Sequence, residues 1–236
     1  MARSASVRRV APFLLALAAL GACDGKSIHL GNGWRDGGGS CPASQVNANE
    51  VLWIGDSWIL VTGSEHTRVR DLARAAGAIG PNDDYAIAAV AASNMAAIAN
   101  QYVAQEAGAT KVKVIIMDGG TWDTILANGS DASVNSVAST FGQFLMQVAN
   151  DGTVQDIVYF MLPPIALIPG VTALRPRMQQ ACAASAVRCH FVDLQQIWTA
   201  HPEYTDTNLG FLPTEDGSQA VADAIWAAMQ QNCVAQ

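Results

Sequence analysis

The chain predicts a three-layer α/β domain, a parallel sheet of about five strands with helices on both faces. Three observations lead there. Short apolar runs alternate with helical patterns from Val51 onward. None of those runs shows clean in/out alternation, which suits strands covered on both sides. Each is separated from the next by enough residues for a helical crossover. Composition agrees, since half of the 236 residues are hydrophobic, 14% are charged, and alanine and glycine are abundant.

Residues 1–22 read as an export signal. Arg3, Arg8 and Arg9 form a charged start, and Pro12 to Leu20 an apolar run. That run is roughly half the ~20 residues a membrane-spanning helix needs. Leu20-Gly21-Ala22-Cys23 follows and matches a lipobox, which implies cleavage before Cys23 and diacylation of its thiol. An ordinary secretory signal with nearby cleavage is the alternative. Either way the chain is expected to be exported, as a membrane-anchored lipoprotein of a bacterial cell envelope or as a secreted protein.

Residues 23–40 include Gly31, Gly33 and Gly37-Gly38-Gly39 and little that packs, so they read as a flexible tether with a reach of about 20–25 Å. Residues 41–236 are then one domain, long enough for a sizeable core. Setting Cys23 aside leaves four of the five cysteines, an even number in a chain bound for an oxidising compartment. Four cysteines allow three pairings. The favoured one joins Cys182 to Cys189, close in sequence, and Cys41 to Cys233 across the ends of the domain. No C-x-x-C pair is present and the four histidines are scattered, so no metal and no cofactor are expected. A net charge of -7 argues against a nucleic-acid partner. Nothing in these patterns selects an oligomeric state.

The expected strands are Val51 to Ile54, Tyr85 to Val90, Val112 to Met117, Val154 to Leu162 and Cys189 to Leu194. Helix starts are marked by Ser93, ahead of Met95, Ile98, Tyr102 and Val103, and by Asp131, ahead of Val134, Val137, Phe141, Phe144 and Leu145. A last helix covers about Glu215 to Gln231. In such a sheet ligands bind beyond the carboxyl ends of the strands, so candidate chemistry is sought there.

Four segments stand at those ends. Gly55-Asp56-Ser57-Trp58 follows the first strand, where glycine permits a tight turn and serine presents a hydroxyl and an N–H to the cleft. Ala88 to Ser93 follows the second strand, and Gly120-Thr121-Trp122-Asp123 follows the third. Leu209-Gly210-Phe211-Leu212-Pro213-Thr214-Glu215-Asp216-Gly217 precedes the last helix. In this order, over Val51 to about Met229, they resemble the motif blocks of the SGNH (GDSL-type) hydrolases. The resemblance implies a flavodoxin-like α/β/α fold and hydrolysis of acyl or acetyl esters of lipids or carbohydrates, with Ser57 as nucleophile.

The match departs from the family at four positions. Ala92 stands for an oxyanion-hole glycine; its N–H survives, but alanine resists positive φ. Trp122 stands for an asparagine whose amide helps to hold the oxyanion, a type of donor worth about 2.7–4 kcal/mol in the transition state. Leu209 and Leu212 stand where the catalytic aspartate and histidine are expected. A serine is a weak nucleophile until a base takes its proton. The best replacement among the histidines is His201, with Asp206 nearby as its orienting carboxylate, although His201-Pro202-Glu203 also reads as a surface turn. Asn94 is a substitute oxyanion donor. Asp56 and Asp123 are carboxylates near the cleft, able as a pair to hold a proton. Trp58 and Trp122 either stack on a sugar or acyl ligand, or fill the space left by the missing asparagine and histidine together with Leu209 and Leu212. Asp193, Pro163 and Pro164 read as scaffold.

Three functions follow. The chain is a serine esterase with an unconventional base. Or it is a non-catalytic protein binding a carbohydrate or acyl ligand through Trp58, Trp122 and the N–H groups of Ser57 and Ala92. Or it is a structural cell-envelope lipoprotein with a filled site.

Overall fold

A computed structural model describes residues 41, 45–62, 64–126, 129–164, 168, 170–206 and 210–236. The expected signal, Cys23, the tether and Leu209 lie outside the described residues. Five parallel strands form one sheet in the order β2-β1-β3-β4-β5, with β1 at Val51–Ile54, β2 at Ala86–Ile87, β3 at Val114–Met117, β4 at Asp156–Met161 and β5 at Arg188–Asp193. Register runs Trp53 to Ile87, Ile54 to Met117, Met117 to Tyr159 and Met161 to Asp193, so the strands end close to one edge. Every residue of β1, β3 and β4 is buried, which is why their sequences are continuous apolar runs. The edge strands β2 and β5 are partly exposed.

The helices are α1 (Ser57–Thr62), α2 (Ser64–Ala76), α3 (Met95–Glu106), α4 (Thr121–Leu126), α5 (Asp131–Asp151), α6 (Gly170–Ala183), α7 (Gln195–Ala200) and α8 (Glu215–Gln231). α2 packs on α8 over one face, and α3, α5 and α6 pack in series over the other. α5 shows the cause of such packing: Val134, Val137, Phe141, Phe144, Leu145 and Val148 recur at helical spacing and are all buried. The last helix spans the residues expected.

Two helix starts differ from expectation by one residue. Asn94, not Ser93, caps α3, its side-chain oxygen accepting the Ala97 N–H at 2.8 Å. Ser93 is instead buried, because its hydroxyl is used inside the fold. Ser130 caps α5, and Asp131 is the first helical residue. The second strand is shorter than its apolar run because only Ala86 and Ile87 pair with β1.

Both favoured disulfides are present, Cys41–Cys233 and Cys182–Cys189. The first links residues 192 apart, the second residues 7 apart. Loop-closure entropy gives about 5 kcal/mol for the long link and about 2.5 kcal/mol for the short one. Replacing Cys41 and Cys233 together by serine is therefore expected to lower unfolding free energy by about twice as much as replacing Cys182 and Cys189. Denaturant titration of the two double variants checks this, and equal losses would contradict it.

Candidate active site

The turn leaving β1 is held by contacts that converge on Gly55. Its φ of +152° is a conformation L side chains rarely adopt, and a Cβ there would lie 1.9 Å from Asp118 Oδ1 and 2.6 Å from Ile59 Cδ1. That space is used: Asp56 N–H donates to Asp118 Oδ1 at 2.8 Å. From the other side, the buried Gln101 side chain of α3 closes a pair of bonds on Gly55, accepting its N–H at 2.8 Å and donating to its carbonyl at 3.0 Å. The same Gln101 amide nitrogen donates to Ser93 Oγ at 3.1 Å. Gln101 thus ties the turn carrying Ser57 to the loop carrying Ala92.

The consequence is a contact between two predicted site residues. Ala92 N–H donates to Ser57 Oγ at 3.0 Å. Ala92 holds this position with φ at +59°, the left-handed conformation that glycine would adopt freely. For an L residue it costs roughly 1–2 kcal/mol. The N–H is thus aimed at Ser57 at the expense of local strain. The loop is anchored again three residues on, where Met95 N–H donates to Asp123 Oδ2 at 2.9 Å.

Three carboxyls cluster beneath and beside Ser57. Asp118 is fully buried, and burial followed by the charge of Asp56 raises its pKa well above the usual carboxylate range. Asp56, also buried, is raised by desolvation against the pull of Asp118 and of the Trp58 and Ser57 N–H groups; Asp123 adds a smaller upward push. Of the two acids Asp118 is pushed further towards its neutral form, and the Asp56 side chain accepts Trp58 N–H at 3.2 Å. Asp123 is only half-buried, and its pKa is raised mainly by desolvation. Within β4, Tyr159 donates its buried hydroxyl to Gly119 O at 2.8 Å, fixing the segment ahead of α4.

The histidine position of the resemblance is occupied by hydrocarbon. Leu212 is buried, and so is Trp58, whose indole N–H donates to Phe211 O at 2.9 Å and whose ring packs on Trp198 at 5.5 Å between centroids. This corrects one reading of Trp58: at 2% exposure it offers no stacking surface to a ligand and belongs to the core. Trp122 remains half-buried at the edge of the site. Asn94 caps α3 through its side-chain oxygen.

His201 is exposed, with its Nδ1 2.9 Å from Glu203 Oε1 and its ring stacked on Tyr204 at 4.6 Å. Its partners are those of a surface turn, and neither Ser57 nor Asp206 is among them. Asp206 closes the loop before α8 through its backbone, donating to Leu212 O at 2.8 Å and accepting from Gly210 N–H at 2.7 Å. The expected base and orienter are therefore not assembled into a relay with Ser57. Asp193 is scaffold as expected: it pairs with the buried Arg175 and accepts Gln195 N–H. Pro163 is buried and Pro164 exposed in the segment after β4.

Sequence reasoning missed Gln101 and Asp118. Gln101 stands three residues after Ile98 and next to Tyr102, on the buried stripe of α3, and that spacing was its signal. Asp118 was signalled by a carboxyl directly after four buried strand residues.

The fold is the α/β/α architecture also found in GDSL-type lipolytic hydrolases and carbohydrate esterases. A family 3 carbohydrate esterase from Clostridium thermocellum superposes with a TM-score of 0.61 at 18% identity, covering 79% of this chain and 98% of its own. A lipase/acylhydrolase from Enterococcus faecalis gives 0.58 at 14% identity, over 77% and 95%. A protein described as lipolytic and of the G-D-S-L family, from Desulfitobacterium hafniense DCB-2, gives 0.60 at 11%, over 75% and 98%. The sequence matches no family model and no curated protein. Likeness at this identity establishes the fold.

The Asp118 proton yields a prediction. A carboxyl whose pKa rises on folding contributes stability that is fully present below its unfolded value near 4 and is lost as pH climbs towards its folded value. Asp118→Asn keeps an acceptor for Asp56 N–H but carries no titrating proton. The variant is expected to be more stable than wild type at pH 8, with the difference shrinking towards pH 4, in chemical-denaturation curves across pH. A difference independent of pH would contradict the assignment.

Proposed function

We propose that this protein is a serine ester hydrolase of the SGNH type acting on acyl esters, with Ser57 as nucleophile and the N–H groups of Ser57 and Ala92 as oxyanion donors. The observation that carries this reading is Ala92. A strained left-handed alanine holds its N–H 3.0 Å from Ser57 Oγ, where a relaxed backbone would aim it elsewhere.

The proton acceptor in this reading is a carboxylate. Asp123 is tethered to Met95, on the loop that also reaches Ser57 through Ala92, and it is the least buried of the three clustered acids. Ser57 Oγ attacks the ester carbonyl carbon while its proton passes to Asp123 by way of a bridging water, because Ser57 bonds Ala92 N–H and Asp123 bonds Met95 N–H rather than each other. The carbon–oxygen bond to the alcohol then breaks, and the alcohol leaves with that proton. Water, deprotonated by the same carboxylate, releases the acid from Ser57. A carboxylate is a weaker base than imidazole, so turnover is slow compared with a complete triad.

A second reading is favoured by the buried Leu212 and Trp58, which fill the position of a histidine: the site binds an acyl or carbohydrate ligand without cleaving it. The export signal and the lipobox at Cys23 make the cell envelope the proposed location, with the lipid anchor as its membrane contact. Among the described residues no helix is long and apolar enough to cross a membrane.

Covalent labelling by a fluorophosphonate and hydrolysis of p-nitrophenyl esters separate the two functions. Labelling and turnover in wild type, both lost in Ser57→Ala, are expected; wild type equal to Ser57→Ala in both assays would leave the binding function. The pH profile identifies the base. Because the Asp123 pKa is raised, kcat/KM is expected to fall as pH drops through a midpoint above the usual carboxylate value near 4, and Asp123→Asn, which still accepts Met95 N–H, should remove that limb with the activity. Activity retained in Asp123→Asn would exclude this base. Replacing Cys23 by serine is expected to abolish incorporation of labelled palmitate and to release the protein from the membrane fraction.

A further inference from the structure

The helices on the two faces of the sheet present unlike surfaces to solvent. On one face, α2 and α8 are laced with charge: Arg68 pairs with Asp223, and Arg70 and Arg74 pair with Asp71. On the other, the chain holds no charged residue from Tyr85 to Gln105, a run that takes in nearly all of α3, and none from Ala132 to Asn150, nearly all of α5. These two helices lie side by side, since Tyr102 of α3 meets Phe144 of α5 edge to face at 5.8 Å between ring centroids. Among the described residues, four of the seven large hydrophobic side chains left exposed fall in the uncharged runs: Ile87, Val90, Val103 and Met146. None falls on α2 or α8, so exposed hydrocarbon and absence of charge coincide on one side of the molecule.

Helical spacing gathers this surface. Asn100 and Val103 stand one turn apart on α3, and Ser139, Gln143 and Met146 succeed one another by single turns on α5; all five are exposed. Such a face suits a second copy of the same chain. With a net charge of -7, two copies repel one another over most of their surface, and an uncharged face is where they approach without bringing like charges together. Across a two-fold axis each face meets itself. Amides and hydroxyls carry donors as well as acceptors, so Asn100, Ser139 and Gln143 can bond to their own kind while Val103 and Met146 cover hydrocarbon. Glu106, Asp131 and Asp151 stand only at the helix ends, which gives an uncharged centre inside a charged rim. From helix dimensions, α3 and α5 offer about 500 Å² on each copy, or about 1,000 Å² on pairing, the size at which a specific interface begins. An anionic bilayer surface would call for lysine or arginine here, and these runs have neither.

We infer that the protein forms a two-fold dimer through the outer surfaces of α3 and α5. The inference stands apart from the proposed hydrolase reading, because it uses neither Ser57 nor its neighbours.

The test is sedimentation velocity of the purified full-length chain in density-matched non-ionic detergent, at about 100 µM, well above the roughly micromolar Kd of a small interface. Wild type is expected to sediment with the mass of two chains. The double variant Val103→Glu, Met146→Glu sets like charges against each other across the axis and should sediment with half that mass, its far-UV circular dichroism unchanged because both positions are exposed. Ala75→Glu, an exposed position on α2, should leave the dimer intact. Mixing the double glutamate variant with Val103→Lys, Met146→Lys, each monomeric alone, should restore the two-chain mass, which a variant that had merely misfolded could not do. A monomeric wild type, a dimer that survives both glutamates, or a mixture that stays monomeric would overturn the inference.

Discussion

The hydrogen bond from Asp56 N–H to Asp118 is the constraint on which the site depends. It forms only because residue 55 has no side chain, and it places a carboxyl, fully enclosed by protein, directly under the turn that carries Ser57. A buried anion alone there would be expensive, so Asp118 is pushed towards its neutral form, and backbone N–H groups meet the Asp56 carboxyl. Gln101 completes the arrangement by bonding both backbone groups of Gly55. The Gly55 carbonyl also accepts Val90 N–H at 3.2 Å, while among the described residues its N–H is met by the amide oxygen of Gln101 alone, so the side chain supplies what another strand would have supplied there.

Through Ser93 the same amide reaches the loop after β2. The 3.0 Å contact between Ser57 and Ala92 is then the result of two turns being fixed to one side chain of α3. This explains how alanine persists in a left-handed conformation. The loop is pinned at Ser93 by Gln101 and at Met95 by Asp123, so the residue before them has little freedom to relax. Strain of about 1–2 kcal/mol is small against bonds that hold both ends of the segment.

Much of this fold was legible in the chain, for a physical reason. β1, β3 and β4 are enclosed on both faces, and enclosure leaves a run of apolar residues that polar loops cannot mimic. α8 covers the expected Glu215–Gln231, and the structure adds Thr214 as its cap. The helix caps were displaced by a residue because Ser93 and Asn94, like Ser130 and Asp131, are neighbours of equal capping ability, and tertiary contacts decided between them. The motif order pointed to Ser57 and Ala92, but their contact is a property of two loops 35 residues apart. Gln101 was hidden by its type: a glutamine in a helix ordinarily faces water, and only its place on the apolar stripe distinguishes it.

The surroundings of the site act on its acids. Leu212 and Trp58 are buried hydrocarbon, and Asp123 is half-buried on α4. Desolvation there weakens carboxylates as acids, which is the direction seen for Asp123, and so strengthens the one kind of base the site retains. A carboxylate in water would be a poor acceptor for a serine proton. Half-covered by protein, Asp123 holds a proton more firmly than a carboxylate in water, which is the property the proposed hydrolase requires of it.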